Sequence, residues 1–180
     1  MIADSVRLAL PNEAEGITAV QRRSWEATVP PEIAGPLLAS VSEDEMVQRW
    51  CEAIVRPPNA KIRVLVAVSG ELVVGFACVG PSGDPDADLT TGTIAEFVVD
   101  PRATRRGHGS RLLNACADTL GADGFTLATF WVRSTDDVLR GLLAQSGWAP
   151  DGAHEERAMD DDGATVKLLR LHTDLRKAGN

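Results

Sequence analysis

Two glycines separated by a single residue, Gly107 and Gly109, stand among Arg105, Arg106 and Arg111 in a chain whose formal charge is −8. An apolar run ends just before them at Asp100-Pro101. Behind them Leu112, Leu113, Cys116, Ala117 and Leu120 recur at the spacing of one helix face. This is a strand, a basic turn and a helix N-terminus, and its chemistry is anion binding. A helix's first N–H groups have no intrahelical acceptor and carry about half a positive charge, while glycine lets a phosphate reach the main chain without meeting a Cβ. A diphosphate fits such a turn.

Gly-x-Gly turns serve several ligands, and each leaves further marks. A dinucleotide fingerprint needs a third glycine where this chain has Leu112, and an acid ending the next strand, which here reads Thr129-Phe130-Trp131. A phosphate-binding P-loop needs Gly-Lys-Ser/Thr after four intervening residues, and the chain has none. What remains, Val99-Asp100-Pro101 followed by Thr104-Arg105-Arg106-Gly107-His108-Gly109, resembles motif A of the GCN5-related N-acetyltransferases (GNAT), with Thr104 where the family has Arg or Gln. The family's order of elements resembles that of nearly the whole chain, including Ser24-Trp25 ending the first helix and Gly147-Trp148 after the fourth.

The resemblance implies acetyl-CoA as co-substrate and a sheet splayed at its site. The amides of Arg105, Arg106, Gly107, His108, Gly109 and Ser110 hold the diphosphate, and the main chain of Phe97, Val98 and Val99 holds the pantetheine arm. It implies an acceptor that is a primary amine, of a small molecule or of a protein or peptide, attacking directly in a ternary complex. Glu96, the one acid inside the apolar strand, becomes the candidate base, because desolvation raises a carboxyl's pKa. Family members often place that glutamate where this chain has Thr93, and alternation sets 93 and 96 on opposite faces unless a bulge intervenes. Asp136 falls where an asparagine commonly contacts coenzyme A, although an acid there also suits a helix start. Leu143 takes the place of the usual tyrosine acid, in a chain with no tyrosine. The alternative function is therefore a catalytically weak or inactive acyl-CoA-binding module. Dimerisation, common in the family, is left open.

These residues need a frame. At 180 residues the chain fits one α/β domain over 1–175 with a frayed tail at 176–180. A mixed sheet of about six to seven strands and about four helices is expected. A strand at Val6–Leu10 precedes a helix capped by Asn12; Pro30, Pro31 and Pro36 break regular structure; Ser42 and Glu45 form a capping box for a second helix. Strands at 61–68 and 72–79 join through Ser69-Gly70, a polar loop fills 80–91, and the strand from Gly92 runs into the basic turn. Another strand at 125–132 makes a parallel crossover, a helix buries Val138, Leu139, Leu142 and Leu143, and a last strand pair turns at Asp160-Asp161-Asp162-Gly163.

The acidic balance argues against nucleic acid, which needs a broad basic face. No apolar run approaches the ~20 residues of a membrane helix, and the N-terminus lacks a signal-peptide pattern, so a soluble cytoplasmic protein is expected. Cys51, Cys78 and Cys116 read as buried small hydrophobes. His154, His172 and the aspartates at 160–162 lack metal-ligand spacing, so no metal is expected, and His108 reads as an exposed turn residue.

Overall fold

The computed structural model describes residues 4–159, 161 and 163–178. Asp160, Asp162, Gly179 and Asn180 lie outside them, so the turn expected at 160–163 is described only in part; of the tail expected to fray at 176–180, residues 176–178 belong to a 3₁₀ turn, Leu175–Ala178. Among the described residues seven strands, β1 (Ser5–Leu8), β2 (Arg63–Ser69), β3 (Leu72–Pro81), β4 (Thr91–Val99), β5 (Leu127–Arg133), β6 (Ala149–Ala158) and β7 (Thr165–Asp174), form one mixed sheet ordered β1-β2-β3-β4-β5-β7-β6. The helices are α1 (Ala14–Thr28), α2 (Pro31–Ser40), α3 (Glu43–Val55), α4 (His108–Ala122) and α5 (Asp137–Gln145).

Among the described residues five α-helices stand where about four were expected, and the added one is α2. Its prolines were read as breakers, yet Pro31 occupies the first helical turn, where no N–H is needed, and Ile33 and Ala34 both donate to Pro30 C=O at 2.9 Å. Asn12 does not cap the first helix. No side chain caps α1 itself; the Glu13 carboxylate, bound to Arg7, takes the Leu10 N–H at 2.7 Å ahead of a 3₁₀ turn at Pro11–Glu13 that leads into α1. α3 starts as the capping box requires, with Glu45 N–H to Ser42 Oγ at 3.2 Å and Ser42 N–H to Glu45 Oε2 at 3.0 Å.

The chain divides into two compact units, Met1–Cys78 with Glu96–Ala115, and Val79–Ala95 with Cys116–Asn180. In the first, β2 is buried on both faces, as its unbroken β-branched run requires. Val64, Val66 and Val68 meet Ile17, Val20 and Phe76, while Ala67 meets Val74 and Ala103 in a second cluster. Trp50 closes the larger cluster edge-on to Phe76 at 5.0 Å, its Nε1 donating to Gln21 at 2.8 Å.

In the second unit Thr91–Ile94 of β4 pair in parallel with Leu127–Phe130, and β5 pairs antiparallel with β7 along its whole length. The polar loop before β4 is less free than its composition indicates. Arg170 of β7 binds Asp84 at 3.1 Å, Asp86 at 2.6 Å and Asp151 at 2.6 Å, and lies 5.5 Å over the Trp131 ring, whose Nε1 donates to Asp84. Periodicity also failed at one helix position. Val138, expected inside, is 84% exposed: α5 starts only at Asp137, and Asp137 and Val138 face water while Leu139 and Arg140 are half-buried.

Candidate functional site

The expected anion turn leaves β4 through a 3₁₀ turn at Pro101–Ala103 and reaches α4 at His108. Arg105 has φ 61° and Gly107 φ 79°. For arginine this left-handed backbone costs about 1 kcal/mol or more, a strain typical of residues whose main chain serves a ligand. Gly107 has a further reason to be glycine, since a Cβ there would lie 3.2 Å from Arg111 Nη1. The helical ladder begins with Arg111 N–H to Gly107 C=O at 3.1 Å, so the amides of His108, Gly109 and Ser110 precede it. Thr104, Arg105, Arg106, Gly107 and Ser110 are exposed and Gly109 is half-buried. Such N–H groups at the positive end of a fifteen-residue helix can bind an anion.

His108 departs from expectation. It is 3% exposed, and its Nδ1 lies 3.1 Å from Arg111 Nη2, which also donates to Arg106 C=O at 3.2 Å. Its imidazole is therefore packing and turn structure, which local polarity along the sequence did not reveal.

Glu96 sits one residue before Phe97, Val98 and Val99, all three half-buried in β4. The residue as a whole is exposed, yet enough protein surrounds its carboxyl that desolvation raises its pKa. Cys78 shares its environment: burial, and then the Glu96 charge, push the thiol up to about 11. Cys51 and Cys78 are half-buried rather than buried as expected, and Cys116 alone of the three is fully enclosed.

The doubt over alternation between Thr93 and Glu96 meets a register fact. Asp100 N–H bonds Val74 C=O at 2.8 Å and Ser82 N–H bonds Thr91 C=O at 2.9 Å. Eight steps on β3 thus oppose nine on β4, which places one extra residue in β4. Ala95 and Glu96 are exposed in succession, interrupting the alternation there. Sequence reasoning also missed Gly75. A Cβ on it would stand 2.9 Å from Val98 C=O, so only glycine lets β3 run this close, and a lone glycine inside a β-branched run was the available signal.

Asp136 caps α5, accepting the Leu139 N–H at 3.0 Å, which is the helix-start role. Leu143 is fully buried, and its carbonyl takes the Trp148 N–H at 3.0 Å as the helix ends. Among the described residues no group of three His, Cys, Asp or Glu is placed to hold a metal, and no helix is long and apolar enough to cross a membrane.

This fold and turn have counterparts among known proteins. The model of the Acetyltransferase (GNAT) family matches residues 21–148. The mycothiol acetyltransferase of Kineococcus radiotolerans is 31% identical over 109 residues, which are 61% of this chain and 32% of that protein. The chain thus matches about a third of that relative's length. Among solved structures, yncA of Salmonella typhimurium with its cofactor acetyl-CoA aligns at TM-score 0.74 and 19% identity, over 97% of this chain and 95% of that one. An N-acetyltransferase of Staphylococcus aureus aligns at 0.76 and 18%, over 97% and 99%. The Thermoplasma acidophilum paia N-acetyltransferase in complex with coenzyme A aligns at 0.70 and 13%, over 96% and 99%. With the family model spanning most of its length and the glycine turn opening α4, the chain belongs to the GNAT acetyltransferase family.

Proposed function

We propose that residues 1–175 work as one acetyltransferase domain that moves acetyl from acetyl-CoA to a primary amine by direct attack in a ternary complex. The observation that carries this reading is the exposed turn from Arg105 to Ser110, whose amides precede the helical ladder of α4. Those amides hold the diphosphate, and the main chain of Phe97, Val98 and Val99 holds the pantetheine arm. Asp136 falls where the family commonly has an asparagine that contacts coenzyme A, and its carboxylate caps α5. Acetyl-CoA supplies an activated thioester.

Glu96 accepts the proton that the attacking amine gives up, and its raised pKa makes it a stronger base than an ordinary carboxylate. The C–N bond forms as C–S breaks, and the departing thiolate takes a proton from solvent. A thiol of pKa about 8.5 leaves without a strong acid, so Leu143 in place of tyrosine slows transfer without preventing it. The acetyltransferase name of the Kineococcus relative and the acetyl-CoA or coenzyme A in the Salmonella and Thermoplasma structures support this reading.

The test is thiol release from acetyl-CoA over a panel of small amines and peptides, beside calorimetric titration with coenzyme A. Binding together with amine-dependent release is expected. Binding without release for any amine reduces the protein to a coenzyme-binding module, and absence of binding removes the reading altogether.

A further inference from the structure

Asp100, the residue between Val99 and Pro101, uses every polar group it has. Its N–H donates to Val74 C=O at 2.8 Å, and its Oδ1 accepts the Arg102 N–H at 3.0 Å. Its carboxylate also receives Arg23 of α1 in a fork, Nη2 at 2.5 Å and Nε at 3.2 and 3.3 Å. The residue is 5% exposed. Ala103, three positions on, is buried against Ala67 and Val74. Residues 100–103 are thus held from two sides, by an ion pair to a helix 77 positions earlier and by apolar packing on the sheet. The anion turn starts at the next residue.

We propose that Arg23 is a positioning residue for the coenzyme turn. Gripping Asp100, it sets where the 3₁₀ turn ends and hence the aim of the amides from Arg105 to Ser110. The inference rests on the diphosphate reading given above. It also separates from a merely stabilising ion pair. A pair that only holds the fold together changes how many molecules are folded, whereas a pair that aims the turn changes how each folded molecule binds the diphosphate. Arginine is suited to the task, because its planar fork fixes direction as well as distance, which the single ammonium of lysine does not.

The experiment titrates coenzyme A, and pantetheine as a probe lacking the diphosphate, into wild type, Arg23→Lys and Asp100→Asn by calorimetry. Stoichiometry reads the folded fraction and Kd reads the geometry, so partial unfolding does not mimic the effect. In ¹⁵N spectra the Gly107 and Gly109 amides report on the turn itself. Expected is a Kd for coenzyme A raised about tenfold to a hundredfold in both variants, the loss that small misplacements of binding groups produce. Pantetheine affinity stays within about twofold, a change of under half a kcal/mol, and the two glycine amides shift. Variants that bind coenzyme A as wild type does, or that lose both ligands equally, overturn the role of the pair while the coenzyme reading stands. Wild type that does not bind coenzyme A overturns that reading, and this inference with it.

Discussion

At the scale of single residues, the proposed reaction rests on Glu96 and the proposed coenzyme turn on Gly107. A carboxylate base works only when deprotonated, and desolvation raises the Glu96 pKa. Activity should therefore be full at alkaline pH and fall as pH drops through that raised pKa, above the ~4.3 of an ordinary glutamate. Glu96→Gln should lower kcat by ~10²–10⁴ and abolish that acid limb, while coenzyme A binds as before. A pH–rate profile of thiol release beside a binding titration checks both. Gly107→Ala puts a side chain on a φ of 79° and against the Arg111 guanidinium. It should cost about 1 kcal/mol of stability. Because the strain falls on the anion turn, coenzyme A affinity should drop further, by about tenfold or more. Chemical denaturation and titration of the same sample separate these effects.

At the scale of elements, polar tethers hold loops that composition alone leaves free. Arg170 fixes the loop before β4 to β7 and β6 through Asp84, Asp86 and Asp151. Its side chain is 12% exposed, its guanidinium covered by these carboxylates and the Trp131 ring rather than by depth in the core. Arg170→Met should therefore destabilise by about 2 kcal/mol, below the range for a fully buried pair. Asp151→Asn should cost more than Asp86→Asn, because Asp151 is 13% exposed and Asp86 63%. Urea midpoints of the three variants give the order. The same element scale explains α2: three prolines looked like a break, yet one of them sits where a helix start tolerates it.

At the scale of the whole molecule, binding couples to stability. Coenzyme A at 100 times its Kd should add ~2.7 kcal/mol and raise Tm by about 5–10 °C, a shift that shrinks with salt if a diphosphate is gripped. A scanning melt with and without ligand reads this. The acidic chain, with its local basic turn, is expected to show no such shift with duplex DNA. Much of the molecule was legible beforehand, because it depends on neighbours in the chain: the capping box at Ser42, the hairpin at Gly70, the stripe on α4, and the glycine turn that marks the family. Tertiary structure decided the rest, through partners far away in sequence. Arg23 reaches Asp100 and Arg170 reaches Asp84 across separations that no period records, His108 is buried though its neighbours are polar, and the extra residue in β4 exists only against β3. Local pattern determines which residues become strand, turn and helix; where a side chain finds its charge partner or its cover depends on which elements the sheet brings side by side.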